Sequence, residues 1–318
     1  MTVLRPWVAD GHCDSIGNYI QGKRSLKQGN EGGHWDLERA REGGLALQVM
    51  ACYIESEFKP SSATLRGLEL IHAVHQFISE NPEKVMIVLS QEELRQLPHT
   101  DKLGILLSVE GGEILGESLF MLDIIYQLGV RALGLTWNQR NALADGAGER
   151  THSRLTRLGE SVIHRMNELG MVIDVSHLNE EGFYHVLDLS DAPIIASHSC
   201  AYELCQHPRN LKNDQLKALS RNRGLIGVNF YPHFLSADGK ASLNDVVRHI
   251  SHIADISGVE SIGLGSDFDG IDKAPYGLEH VGRYPNLAEA LLQAGFSQSE
   301  IEQIFYKNFM RLLMNVIK

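Results

Sequence analysis

Six residues able to bind metal ions stand at the ends of short apolar runs in this 318-residue chain. His12 and Asp14 follow the run Pro6–Asp10 in GHCD, and Glu110 closes LGILLSV. His177 and His198 each stop a β-branched run, and Asp267 follows SIGLGS. Imidazoles and carboxylates are the ligands of zinc and similar divalent ions. Three of each make a ligand mix for two ions, and one carboxylate, such as Glu110, can bridge a pair about 3.5–4 Å apart. Water shared by two cations ionises at about pH 7, so the implied chemistry is hydrolysis by hydroxide at neutral pH. Taken singly the patterns are weak. His-x-Asp recurs by chance, histidines cap strands, and an acid before two glycines also suits a helix start. Their common placement carries the argument.

The elements that position them begin with Met171–Ser199, MVIDVSHLNEEGFYHVLDLSDAPIIASHS. Two runs, Met171–Val175 and Pro193–Ala196, flank an amphipathic segment, Asn179–Leu189, with Phe183, Val186 and Leu187 at helical spacing. A helical crossover makes the strands parallel, which sets His177 and His198 side by side at the C-terminal edge of the sheet. His12 and Asp14, at i and i+2, are expected on one side of an extended strand with Cys13 opposite. Further strands read at Leu45–Tyr53, Leu103–Val109, Val130–Trp137, Leu225–Phe230 and Ser261–Ser266. Helical spacing intervenes at Ser61–Glu80, Thr156–Leu169 and Leu243–Ser257, and two helices, Leu287–Ala294 and Gln298–Ile317, end the chain. A short strand and helix at Val85–Leu97 fall outside the repeat. Eight main strands predict an α/β chain folded as a (β/α)8 TIM barrel, one domain over residues 1–318, with a doubly wound sheet as the rival. Closing the barrel would gather the six strand-end residues into one ring.

Composition narrows the function classes. Hydrophobic residues make up 43% and charged residues 22%, an ordinary globular balance, and the net charge of −11 with no long basic run argues against a nucleic-acid surface. No apolar run approaches the roughly 20 residues of a membrane span. Cys13, Cys52, Cys200 and Cys205 lack C-x-x-C spacing and read as free thiols of a reducing compartment. The expectation is a cytoplasmic protein without membrane or nucleic-acid partners.

Nearly end to end, the chain resembles the membrane dipeptidase (renal dipeptidase) family of the amidohydrolase superfamily. The likeness is densest in DGHCD, LLSVEGG, LTWNQRNALADG, VIDVSH, SHSCAYELCQHPRN, GVNFYPHF and GLGSDFDG. It implies a binuclear zinc barrel cleaving dipeptides, with some members accepting a D-residue at the C-terminal position. Carried over by motif, one zinc takes His12, Asp14 and Glu110, and the other takes Glu110, His177 and His198. Two Zn2+ ions, bridged by Glu110 and a water or hydroxide that attacks the peptide carbonyl, are thus implied, with Asp267 as proton shuttle. Arg209, in HPRN, matches a substrate-binding arginine suited to hold a dipeptide's carboxylate bidentately. Trp137 departs from the pattern: renal-type members carry there a histidine thought to help stabilise the oxyanion, whereas indole donates one neutral hydrogen bond. Trp137, Asn229 and Tyr231 are expected to contact substrate. The departure also motivates an alternative, the same metals acting on another small carboxylate-bearing amide or lactone. The resemblance further suggests a homodimer. Asp269 is expected to orient a ligand from behind, His152 and His233 to lie near the mouth, and the remaining histidines, His207 among them, to be structural.

Overall fold

The computed structural model describes residues 7–29 and 32–318. Nine parallel strands run in chain order: β1 (Val8–Cys13), β2 (Leu45–Tyr53), β3 (Val85–Ile87), β4 (Leu103–Glu110), β5 (Val130–Gly134), β6 (Val172–Asp174), β7 (Ile195–Ser199), β8 (Leu225–Val228) and β9 (Ile262–Leu264). Eight of them close a barrel, because β9 pairs with β1 and β2 pairs with β4. The eight strands with their helices make a (β/α)8 barrel. β3 is the extra strand expected outside the repeat. It pairs with Leu103–Ile105 at the start of β4, and β5 takes the same edge of β4 from Leu107 onward. Among the described residues, no helix is long and apolar enough to cross a membrane.

The crossover helices start and stop where the sequence carries capping chemistry. Asn179 accepts the Gly182 N–H at 2.9 Å and opens the helix Glu180–Leu189, with Glu180 and Glu181 in the first turn. Thr156 caps Arg157–Leu169, which ends at a left-handed Gly170. Several strands are shorter than their apolar runs. Leu135 and Val175 are buried just past their strands and still share backbone hydrogen bonds with the neighbouring segment, Val175 N–H to the Ile195 carbonyl at 2.8 Å and Gly112 N–H to the Leu135 carbonyl at 3.1 Å.

The barrel interior is apolar at its base. Ala9, Leu47, Val49, Leu106, Ala132, Val172, Ile195 and Leu225 pack there against Phe309, Leu312, Leu313 and Val316 of the last helix, Asn308–Val316. The expected continuous helix Gln298–Ile317 is interrupted by a wide π-turn at Gln303–Lys307, which adds a residue to the turn and rotates the helical face that follows. Gly11 makes room for the plug. A Cβ there would stand 3.0 Å from Phe309 Cε2 and 3.1 Å from the Ser197 and Leu264 carbonyl oxygens.

Candidate metal centre

All six strand-end residues converge at the C-terminal mouth, none with more than 14% of its side chain exposed. Glu110 stands between two groups. Its Oε2 lies 3.4 Å from His12 Nε2, and His12 Nε2 is 3.3 Å from Asp14 Oδ2 and 4.0 Å from Asp267 Oδ1. Its Oε1 lies 2.7 Å from His177 Nε2 and 3.5 Å from His198 Nε2. Asp14 reaches this cluster by a route other than strand alternation. It falls just past β1, at the N-cap of the helix Ser15–Ile20, and its N–H is held by the Phe268 carbonyl at 3.0 Å. Asp267 N–H is held in turn by the His12 carbonyl at 3.2 Å, so the GHCD and DFDG segments extend the β1–β9 pairing and bring both acids to His12.

The backbone is strained where the ligands turn inward. His177 and Asp267 have positive φ, 68° and 63°, a left-handed conformation uncommon for non-glycine residues and often found at functional sites. The His177 carbonyl is fastened by the Ala147 N–H at 2.6 Å. Gly270 lies against the acids so closely that a Cβ there would collide with Asp14 Oδ2 and Asp267 Oδ1.

These residues fit bound cations. Asn138 Oδ1 takes the Nδ1 proton of His177 at 2.8 Å, and Ser197 Oγ takes that of His198 at 2.8 Å. Both Nε2 atoms therefore present lone pairs, 2.8 Å apart and facing Glu110 Oε1. No proton is available to separate two lone pairs and a carboxylate oxygen at such range, and a divalent ion is what such a donor set accepts. In the other group, His12 Nε2 and Asp14 Oδ1 are buried without a hydrogen-bond partner.

Burial governs the protonation of the cluster. It pushes His177 down to about 3, aided by Arg209, and holds His198 well below the usual imidazole value, which keeps both rings neutral as ligands must be. Burial would also depress His12, but Asp14 and Glu110 outweigh it and raise His12 well above its usual value. Burial raises the Asp267 carboxyl well above the ordinary carboxylate range, with the charges of Asp14 and Glu110 adding to it against His12.

Comparison with known proteins gives the cluster its context. The family model of the membrane dipeptidases, peptidase family M19, matches residues 3–318. An uncharacterised dipeptidase of Schizosaccharomyces pombe is 34% identical over 296 residues, covering 88% of this chain and 71% of its own length. This chain belongs to the membrane dipeptidase family. Dipeptidase 3 of Mus musculus is 35% identical over 290 residues, covering 89% of this chain, which spans only 58% of that relative. A solved metallopeptidase of Rhodobacter sphaeroides, liganded with a phosphinate mimic of the dipeptide L-Ala-D-Ala, superposes with a TM-score of 0.93 at 28% identity, covering 98% of this chain and all of that one. Family M19 consists of metallo-dipeptidases, so the family implies a metal cofactor, and the six-residue cluster is where this member can hold it.

The mouth opens into a cleft of about 510 Å³. One wall is aromatic beside His177: the Trp137 ring lies 5.9 Å from His177 and 5.4 Å from Tyr53. Tyr231, Phe234, His207 and Arg209 also line the cleft. Arg209 is 5% exposed, and its charge meets no carboxylate. Its Nη atoms reach only the Ser199 hydroxyl at 3.5 Å and the His198 carbonyl at 3.2 Å, while Nε has no partner. Burial lowers its pKa to about 10, still charged at neutral pH.

Other expected contacts fall elsewhere. Asn229 is fully buried and does not line the cleft. Its Nδ2 donates to Asp267 Oδ2 at 2.9 Å, because at the end of β8 the side chain turns across to β9 and not outward. Asp269 touches no ligand; it holds Arg24, Ser15 and the His34 N–H, tying the loop after β1 to the barrel rim. His152 and His233 are exposed and do not line the cleft, although the His233 ring lies 5.1 Å from that of Tyr231, which does. His207, read as structural, lines the cleft, with its ring 4.5 Å from Phe234 and its Nδ1 accepting the Arg209 N–H at 3.2 Å. Its place two residues before Arg209 in HPRN was the available clue. Asn138, which orients His177, stood next to Trp137 in the same loop.

Proposed function

We propose that this chain is a two-zinc dipeptidase acting on free dipeptides, including those with a C-terminal D-residue. The observation that carries the reading is Glu110, whose two oxygens face two separate ligand groups. One ion would be held by His12, Asp14 and Glu110, the other by Glu110, His177 and His198. Two cations bound there supply Lewis acidity toward a carbonyl oxygen and a water molecule that ionises near neutral pH. Acceptance of a C-terminal D-residue draws support from the phosphinate mimic of L-Ala-D-Ala bound to the Rhodobacter sphaeroides relative.

The chain's own residues bind the substrate, orient it and move the proton. Arg209, buried without a carboxylate partner, binds the terminal carboxylate of the dipeptide through its guanidinium fork. A longer peptide would carry an amide there and leave that cation unpaired, which restricts the site to dipeptides. Asp267, with Oδ2 held by Asn229 and Oδ1 turned toward His12, accepts the proton of the attacking water and returns it to the leaving amine. Trp137 and Tyr53 wall the cleft beside His177 and exclude water from the scissile bond. A reducing compartment belongs to the same reading, supported by four buried, free cysteines.

The test is metal analysis joined to a substrate panel of L-Ala-L-Ala, L-Ala-D-Ala, a tripeptide, an N-acyl dipeptide and a lactone. The reading expects about two zinc ions per chain, dipeptide turnover abolished by chelation and restored by zinc, and an inert tripeptide. Full activity in metal-free protein would overturn it. Turnover of the lactone alone would keep the metals and move the substrate to the lactone class.

A further inference from the structure

Below the ligands lies a carboxylate that the reading above leaves idle. Asp174 ends β6 and is 5% exposed. Its oxygens meet three donors, none of them cationic: the Ser176 N–H at 2.9 Å and the Ser197 N–H at 3.0 Å on Oδ1, and the Ser197 hydroxyl at 2.5 Å on Oδ2. A buried carboxyl group is costly unless its oxygens are hydrogen-bonded. The two backbone donors need only a neutral acceptor, which an asparagine would supply. What a carboxylate adds is its second oxygen, which takes the Ser197 proton.

That proton decides the state of the neighbouring ligand. Having donated to Asp174, Ser197 Oγ can only accept from His198 Nδ1, 2.8 Å away. His198 therefore carries its proton on Nδ1 and turns the Nε2 lone pair toward Glu110. The Ser176 hydroxyl accepts the His198 N–H at 3.1 Å, so the same short segment fixes both the ring and the backbone of the ligand. Asp10, which occupies the comparable place below His12, differs. It accepts from the His12 N–H, from both donors of Ser266 and from the Tyr284 hydroxyl, and it touches no ligand ring.

We propose that Asp174 is a positioning residue of the metal centre, acting through Ser197 to hold His198 as an Nε2 ligand. The proposal rests on the two-ion reading. It assigns the relay to the ion held by His177 and His198 and leaves the ion at His12 and Asp14 untouched. Outer groups of this kind usually change metal affinity by about 10–100-fold.

The experiment strips the full-length protein with a chelator and titrates it with zinc against a chromophoric competitor, comparing the parent with Asp174→Asn and Ser197→Ala. The parent should bind two ions. Each variant should weaken one of the two steps by about 10–100-fold and leave the other unchanged, and cobalt loading of the weakened site should show an altered visible spectrum. Ser197→Ala removes a single oxygen, so it decides the matter if Asp174→Asn does not fold; its metal-free melting temperature should fall only by what the hydrogen bonds lost at Asp174 and His198 cost. Unchanged affinity at both steps in the variants would overturn the proposal, as would equal weakening of both steps with a lowered metal-free melting temperature. A parent that binds no divalent ion would instead sink the two-ion reading itself.

Discussion

At the base of the barrel Ala9, Leu106, Val172 and Ile195 pack around the terminal helix, while three to five residues later, on or just past the same strands, His12, Glu110, His177 and His198 crowd the mouth. The base is apolar throughout, and its contribution to stability grows with the area removed from water. The mouth buries imidazoles and carboxylates, leaves His12 Nε2, Asp14 Oδ1 and Arg209 Nε without partners, and bends His177 and Asp267 into left-handed backbone. Each of these features lowers stability, the backbone strain alone by about 1–3 kcal/mol per residue. They persist because the apolar base, with Phe309 packed against Gly11, and the surrounding helices hold the mouth in place. The barrel thus separates stabilisation from chemistry along its axis, as (β/α)8 enzymes do when their loops carry the active site.

The largest expected effect is at Glu110, where both ligand groups meet. Glu110→Ala should lower dipeptide kcat/KM by about 10⁴-fold or more, a modest share of the acceleration such enzymes supply. Metal content should fall with it, and the metal-free variant should melt no lower than the metal-free parent. A variant that kept both its zinc and its activity would break the contrast drawn here. Asp267→Asn comes next. It should reduce kcat by about 10²–10⁴-fold while metal analysis still finds the ions of the parent, because the carboxylate is asked to move a proton.

At the opposite end, Phe309→Ala should cost about 3–5 kcal/mol in urea denaturation by opening a cavity in the base, with kcat per folded molecule unchanged. A loss of kcat at full folding would show that the two ends are coupled.

The smallest effect sharpens the comparison by using a histidine away from the mouth. His249, in the helix Leu243–Ser257, is fully buried, accepts the Ala201 N–H on Nδ1 at 3.1 Å and donates from Nε2 to the Leu235 carbonyl at 3.1 Å. Burial lowers its pKa to about 4, against about 6.5 when unfolded. Folding therefore favours the neutral ring. Its contribution is complete above about pH 6.5 and drains away as pH falls toward 4, amounting to no more than about 3 kcal/mol. Unfolding free energies measured across this window should fall less steeply in His249→Gln than in the parent. Equal slopes would remove His249 as the source.

Much of this organisation was open to reading in the chain. The β2 run, Leu45–Tyr53, coincides with its strand, and the extra Val85–Leu97 segment lies outside the repeat as expected. The helical segments read at Thr156–Leu169 and Asn179–Leu189 each begin on the residue that caps the helix. Such features are local: periodicity, capping and apolar runs act within a few residues. The site was less legible where long-range contacts decide. Asp14 meets His12 through pairing with Phe268, Asn229 serves Asp267 and not the cleft, and His207 enters the cleft because its loop folds against Phe234.

The residue types and their places at the ends of apolar runs were settled by the sequence itself, since parallel strands joined by helices bring their C-terminal ends to one face. Which oxygen of Glu110 faces which imidazole, which proton each histidine carries and which arginine is left without a carboxylate were decided only when the barrel closed. Those properties depend on angstrom-scale distances between residues far apart in the chain, which strand pairing around the whole barrel sets, its closure by β2–β4 and β9–β1 included.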